Sequence, residues 1–500
     1  MKIVFVKPFN DLNPRYIPLN YLVLGSVLKE KGCKVKIIDS VIDRNWKSTL
    51  LREGKDASAI GVGCITADVK YAYEICEFSK ENLPDVPIVW GGIHATLFPE
   101  QVAASKLVDY AVHGEGEKPL CELLDALERG TDTTRIKGLA FKKKPEGVQI
   151  NPRPEFVDLN SLPETDYDLI DLNQYFSGTQ RFLPYQSSRG CPHRCAFCVN
   201  PLTGNSVYRS KTAEKVVDET KRLAEKYKLD YVYFIDDNFF VDFNRAKKFA
   251  ELKIASDAEY TWFGECRVNY FAPYGPIDEK YLELLYKSGL RSMTLGAESG
   301  SEKMLAYIDK DISPEQITNS AQKLAKYDIS AGYSFIIGYP NEDEDDLMQT
   351  VSLAKKIRKI NPHAFFAMSI LTPYPGSKLT EDLKKKGLFK EPTSLEEWAS
   401  KETVDLYTNR FVGKPWQKNK RLLEAISYCT QVGYNTYDDK TIGNLVQGLK
   451  VWRYPDLFFI YLARKRFEGL YFDLLVEDKL FEGWTQTKKL LYHRLWKKNF

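Results

Sequence analysis

Cys191, Cys195 and Cys198 stand in the run Cys-Pro-His-Arg-Cys-Ala-Phe-Cys, and their type and spacing point to metal chemistry. Iron–sulfur clusters are held by Cys thiolates, and a [4Fe–4S] cube ordinarily takes four. Three thiolates on one loop can hold three irons and leave the fourth open. An open metal position is where substrate binds and is activated. The chain has nine Cys in 500 residues, and three of them fall in this one short run, so chance clustering is a poor account. The competing reading is a zinc loop short of one ligand. Such a loop would ordinarily pair with a second CxxC or a His pair, and none is visible.

Two series of alternating elements must position this loop. In residues 1 to 140, short apolar runs at Lys2–Val6, Val35–Asp39, Ala59–Cys64, Pro87–Trp90 and Asp109–His113 read as buried strands. Helical patterns lie at Leu19–Lys31, Asp68–Glu81, Pro99–Ala104 and Gly116–Glu128. This alternation predicts a doubly wound, parallel α/β sheet whose ligand sits at the strands' carboxyl ends. Those ends carry Cys64 and Thr66; Gly91, Gly92 and His94; and Gly114, Glu115 and Gly116. Glycine lets backbone approach a bulky ligand, although each of these is also an ordinary turn residue. No GxGxxG follows the first strand, which disfavours a dinucleotide.

Residues 141–180 are polar and Pro-containing and read as a linker, with Asp158–Pro163 as a strap. Over 181–395 six further strand-like runs alternate with helices: Leu183–Ser187, Tyr231–Ile235, Tyr260–Gly264, Ser292–Leu295, Ala331–Ile337 and Ala364–Ser369. Six βα units predict a partial (β/α)6 barrel with its functional residues at strand carboxyl ends. The cysteine loop follows the first of these strands, as that rule requires.

The C-x3-C-x2-C loop, preceded by Ser187-Ser188-Arg189-Gly190, resembles that of the radical S-adenosylmethionine (AdoMet) enzymes. Later strand ends fit the same resemblance: Asp236-Asp237, Glu265-Cys266-Arg267, Glu298-Ser299, Gly338-Tyr339-Pro340 and the segment around Tyr374. The Gly-Gly-x-His-Ala-Thr and Gly-Glu-Gly-Glu segments of residues 1–140 resemble the cobalamin-binding domain that precedes many radical AdoMet cores. The resemblance implies three cofactors: a [4Fe–4S] cluster on Cys191, Cys195 and Cys198, AdoMet, and cobalamin. It implies that Asp236 and Asp237 meet the AdoMet amino group and Arg267 its carboxylate, to which Arg is better matched than Lys. Glu298 and Ser299 would face the ribose or methionine end, Gly338 and Pro340 the adenine, and Tyr374 the pocket between cofactor and substrate. One departure is that the loop Lys7–Leu12 after the first strand lacks the His that ligates cobalt in methionine-synthase-type domains. His94 and His113 lie on other loops and read first as hydrogen-bonding residues. Cys33, Cys76, Cys121 and Cys429 read as small buried hydrophobes, while Cys64 and Cys266 lie nearer the predicted site.

The expected function is that of a cobalamin-dependent radical AdoMet methyltransferase. A 5′-deoxyadenosyl radical would remove hydrogen from an unactivated carbon, which then takes methyl from methylcobalamin. Related enzymes cyclise or oxidatively rearrange their substrates instead, and no residue here separates the two outcomes. A non-catalytic cobalamin or metal sensor would need neither the Asp236-Asp237 pair nor Arg267.

Composition sets the remaining bounds. With 71 Lys+Arg against 68 Asp+Glu there is no general case for nucleic acid. No uncharged apolar stretch reaches the roughly 18 residues of a membrane span. An odd number of Cys and no signal-peptide layout fit a reducing cytoplasm. The resemblance, not composition, implies an electron donor of flavodoxin or ferredoxin type. Residues 396–500 read as a mainly helical domain rich in aromatic residues, a candidate lid over a small-molecule, lipid or peptidyl substrate. The basic tail Lys488–Lys498 could touch an anionic membrane surface.

Overall fold

Short runs rich in Val and Ile, most of them buried, build the first sheet, as expected where helices cover a parallel sheet on each side. Strands β1 (Lys2–Lys7), β2 (Lys34–Asp39), β3 (Ala59–Gly63), β4 (Ile88–Gly91) and β5 (Tyr110–Val112) pair in parallel in the order β2-β1-β3-β4-β5. Two antiparallel strands, β6 (Leu139–Lys142) and β7 (Val148–Ile150), extend the sheet beyond β5. The linker expected from residue 141 therefore begins inside the sheet. These are short strands, β7 at the sheet's edge, whose polar turn masks their apolar alternation. The computed structural model describes residues 1–9, 16–143, 145, 147–176, 180–408, 414–430, 462–470 and 472.

The chain divides into two units. The first comprises Met1–Gly264 and Thr372–Val412, the second Glu265–Leu371 and Gly413–Phe500. The first unit holds the seven-stranded sheet, β8 (Phe182–Tyr185), β11 (Tyr231–Phe234) and most of β12 (Thr261–Arg267). β8 and β12 flank β11 in parallel. Between β8 and β11, β9 (Ser188–Arg189) pairs antiparallel with β10 (Arg209–Ser210), a two-stranded ribbon whose connecting loop carries all three cluster-type cysteines. The segment 158–163 does act as a strap: Asn160 and Leu162 accept bonds from Lys215, and the Asn160 side chain accepts from the Thr212 amide. Trp398 and Leu395 sit wholly inside the core around β1, β3 and β4, so the chain returns to this unit after residue 371.

In the second unit β13 (Leu290–Glu298), β14 (Ser330–Ile337) and β15 (Phe365–Ile370) are parallel and alternate with helices such as Pro314–Leu324 and Glu344–Ile360. A bulge shifts the register between Gly296 and Glu298, at the carboxyl end of β13. The helix Lys420–Cys429 packs on β15 and carries buried Tyr428. Most aromatic residues expected in a C-terminal lid, and the basic tail Lys488–Lys498, lie outside the described residues. No described helix is long and apolar enough to cross a membrane.

Candidate active site

The carboxyl ends of β3, β4 and β5 open onto a cavity of about 410 Å³ in the first unit. Gly63, Gly91, Gly92, Gly114, Glu115 and Gly116 form one wall, and Arg189, Gly190, Asn200, Gly204, Arg209 and Asp237 contribute to the other. The loop that bears the three cysteines thus borders the cavity through its flanks, Gly190 and Asn200. At Gly91 an added Cβ would meet nothing nearer than Val112 at 4.0 Å, so this glycine leaves the wall open. Gly92 serves a different purpose. Its φ is +91°, and a Cβ there would lie 2.8 Å from the Cys64 carbonyl oxygen, so only glycine allows the two strand ends to pack.

Cys64, Thr66 and His94 do not line this cavity. His94 is fully buried in a three-ring cluster with Phe98 and Trp398, with Nδ1 3.3 Å from the Thr66 hydroxyl. Burial pulls its imidazole down to about 3, so it is neutral at ordinary pH. His113 bonds the Asn151 carbonyl through Nε2 at 3.0 Å. Burial raises the Cys64 and Cys266 thiols, as for inert core cysteines.

The two adjacent aspartates after β11 have different jobs. Asp236 is buried and accepts from the Ser187 and Ser188 amides at 2.7 and 3.0 Å and from the Ser187 hydroxyl. Burial raises its carboxyl, against the opposing pull of Arg245 and these bonds. Asp237 accepts from the Gly190 amide at 2.9 Å and lines the cavity. Together they hold the stretch that leads into Cys191. Within the loop, the Cys198 amide donates to the Cys195 carbonyl at 3.0 Å, and the Asn200 amide lies 3.4 Å from the Cys198 sulfur. Burial pushes the Cys198 thiol up to about 11, so its ionisation awaits a positive charge beside it. Tyr374 is half-exposed, and its carbonyl accepts from the Ser377 amide and the Thr380 hydroxyl.

In the second unit the remaining candidates gather at strand ends. Glu265 and Arg267 close β12, and the buried Arg267 donates to the Asn269 side chain and the Lys310 carbonyl. Lys310 in turn donates to Glu298 at 2.7 Å, both side chains being 7% exposed. Glu298 has φ +62°, an uncommon conformation for a non-glycine residue. Ser299 is turned into the fold, its hydroxyl 3.2 Å from that of Thr350. Gly338, at φ +83°, donates its amide to Glu342 and accepts from the Trp416 indole at 3.1 Å, and Pro340 beside it is buried.

A model of the radical SAM superfamily matches residues 185–354, and a B12-binding-domain model matches residues 10–124. An uncharacterised methyltransferase of Pyrococcus horikoshii is 30% identical over 391 residues, covering 76% of this chain and 83% of that protein. The chain is a cobalamin-binding radical AdoMet enzyme. The anaerobic magnesium-protoporphyrin IX monomethyl ester cyclase of Rubrivivax gelatinosus is also 30% identical, over 77% of this chain and 70% of its own length. The fold matches that of the radical AdoMet methyltransferase TsrM from Kitasatospora setae, solved with cobalamin and a [4Fe–4S] cluster. The TM-score is 0.68 at 18% identity, covering 93% of this chain and 99% of that one.

This enzyme's residues fit the cofactors its family uses. The three cysteines are free thiols, the donor type of iron–sulfur clusters. Among the described residues no three His, Cys, Asp or Glu side chains converge on one ion, as a mononuclear zinc site would need. A cube instead takes one thiolate per iron. The cavity's glycine edge and apolar depth, which includes Leu19, Val23, Val62 and Val112, suit a large, flat ligand with an apolar body. Arg189, Arg209 and Glu117 also line this cavity. Arg189 and Glu117 stand inside the Ser187–Gly190 and Gly114–Glu117 motifs without a role assigned to them there, and Arg209 lies in neither. The available signal was a charged residue, Arg189, set between Ser188 and Gly190 immediately before the cysteines.

Proposed function

We propose that this enzyme is a C-methyltransferase acting at an unactivated carbon of a small-molecule substrate. The observation that carries the reading is the shared cavity: the glycine edge expected to face cobalamin and the flanks of the cysteine loop line one space. When bound, the cluster with AdoMet supplies a 5′-deoxyadenosyl radical, and cobalamin supplies the methyl group. Cys191, Cys195 and Cys198 hold the cluster. Asp237 offers a carboxylate to the AdoMet amino group, while Asp236 fixes the backbone before Cys191. In the second unit Arg267 and Glu298 are tied to each other through Lys310, and they are the residues the resemblance assigns to the carboxylate and ribose ends. Gly338 and Pro340 shape the adenine turn, and Tyr374 borders the substrate. Gly63, Gly91, Gly114 and Gly116 let the corrin approach the backbone. Residues 1–150 form the cobalamin-binding part. A low-potential flavodoxin or ferredoxin in a reducing cytoplasm completes the reading.

The 30% identity to a cyclase keeps oxidative ring closure as a second outcome of the same machinery. AdoMet labelled with deuterium in its methyl group separates them. Recovery of labelled methylcobalamin from the reduced enzyme, and of label in product, supports methyl transfer. Formation of 5′-deoxyadenosine with all label kept in methionine favours ring closure.

A further inference from the structure

Four charged side chains meet at the cavity wall, and the reading above gives them no role. Arg189 pairs with Glu117 at 2.6 Å and with Glu115 at 3.1 Å, while its Nε donates to Gln186 at 2.8 Å. Arg209 forks onto both oxygens of Glu115, at 2.6 Å to the Oε1 that Arg189 also meets and 3.2 Å to Oε2, and donates to the Val157 carbonyl. Glu117 is 5% exposed and Arg189 16%, so these are nearly dry ion pairs. The geometry is directional. Arg189 lies two residues before Cys191 in β9, while Glu115 and Glu117 flank Gly116 on the glycine edge. Glu117 also opens the helix Glu117–Arg129, where the helix dipole already favours a carboxylate. A guanidinium engages two carboxylates from separate nitrogens fixed in one plane, whereas an ammonium that meets two carboxylates, as Lys303 does with Asp343 and Asp346, fixes no such plane.

We propose that Arg189 is a positioning residue that couples the two cofactor sites: cobalamin seated on the Gly114–Gly116 edge changes the setting of the cysteine loop, and the loop in turn stiffens that edge. This rests on the cofactor assignment above. The reduced cluster's electron paramagnetic resonance signal, recorded with and without cobalamin, reads the coupling without turnover. In the unaltered enzyme the signal shifts when cobalamin is added. In Arg189→Met and Arg189→Lys the shift is lost and cobalamin binds at least about tenfold more weakly, as for loss of residues that orient metal ligands, with iron content retained. An unchanged shift and unchanged cobalamin affinity in Arg189→Met would overturn the proposal. So would an unaltered enzyme that binds both cofactors yet shows no shift. Should Arg189→Met lose its iron, Glu117→Gln asks the same question with the cysteine loop untouched: a lost shift supports the coupling and a retained one overturns it. An unaltered enzyme that takes up no cobalamin contradicts the cofactor assignment itself, and the coupling with it.

Discussion

Asp237 accepts a hydrogen bond from the amide of Gly190 at 2.9 Å, one residue before the first of the three cysteines. The neighbouring Asp236 holds Ser187 and Ser188, further upstream, by their amides. An acidic pair at one strand end therefore sets the backbone from which a metal loop departs on another. Replacing each aspartate should separate stability from binding. Asp236→Ala removes the buried acceptor of two amides and a hydroxyl, and should cost about 3 kcal/mol of unfolding free energy. Asp237→Ala should leave stability within about 0.5 kcal/mol, as for accessible positions, and weaken AdoMet binding. Chemical denaturation and equilibrium AdoMet titration check the pair. Equal losses of stability in both variants would count against the division of roles.

Gly190 should tolerate no side chain. Its φ is +82°, and a Cβ would sit 2.1 Å from the Val207 carbonyl oxygen, within the ribbon that closes the cysteine loop. Gly190→Ala should lose most of the protein's iron while keeping its far-ultraviolet circular dichroism. Full iron content in that variant would show that the loop can relax without this contact.

The buried Glu298–Lys310 pair predicts a strong asymmetry. Lys310→Met leaves a carboxylate buried and unpaired, at a cost of about 3–5 kcal/mol. Lys310→Met combined with Glu298→Gln should recover much of that loss, because the stranded charge is gone. A double-mutant cycle by urea denaturation measures the coupling, and additive losses would place the pair in a wetter setting than the structure shows.

Glu342 gives a pH dependence. Burial raises its carboxyl to about 8, from 4.5 in the unfolded chain, although it accepts from the Gly338 and Tyr339 amides. Between those values the folded state binds more protons than the unfolded one. The contribution is therefore full below pH 4.5 and is lost as pH rises through 8. Glu342→Gln, which keeps an acceptor oxygen but cannot ionise, should flatten this part of the stability profile. A profile unchanged by the substitution would show that the group does not carry the dependence.

Much of this was legible from sequence, for definite reasons. Strands such as Ala59–Gly63 and Ile88–Gly91 are buried on both faces, so their apolar runs stand out. The glycine-rich ends of β3, β4 and β5 fall together because parallel strands must end on one edge. The helix Trp46–Gly54 was missed because its buried stripe is thin, only Leu50 and Gly54 being fully covered. Helix Ile93–Leu97 was missed because it is too short to show a period. The ion pairs of Arg189 with Glu115 and Glu117 join residues more than 70 positions apart, and no local pattern announces such a partner. Likewise, the sequence made Asp236 and Asp237 equivalent, and only the fold distinguishes them, by burial and by the amides each accepts from.

The account's central claim is that one chain holds a cluster and cobalamin at a shared cavity. Its most direct test is anaerobic purification from cells supplied with cobalamin, followed by iron, sulfide and cobalamin determination on one sample. The account predicts about four irons, as many sulfides and one cobalamin per chain, with iron lost on replacing Cys191, Cys195 and Cys198 by Ala. Four irons with no cobalamin, even after reconstitution, would contradict it.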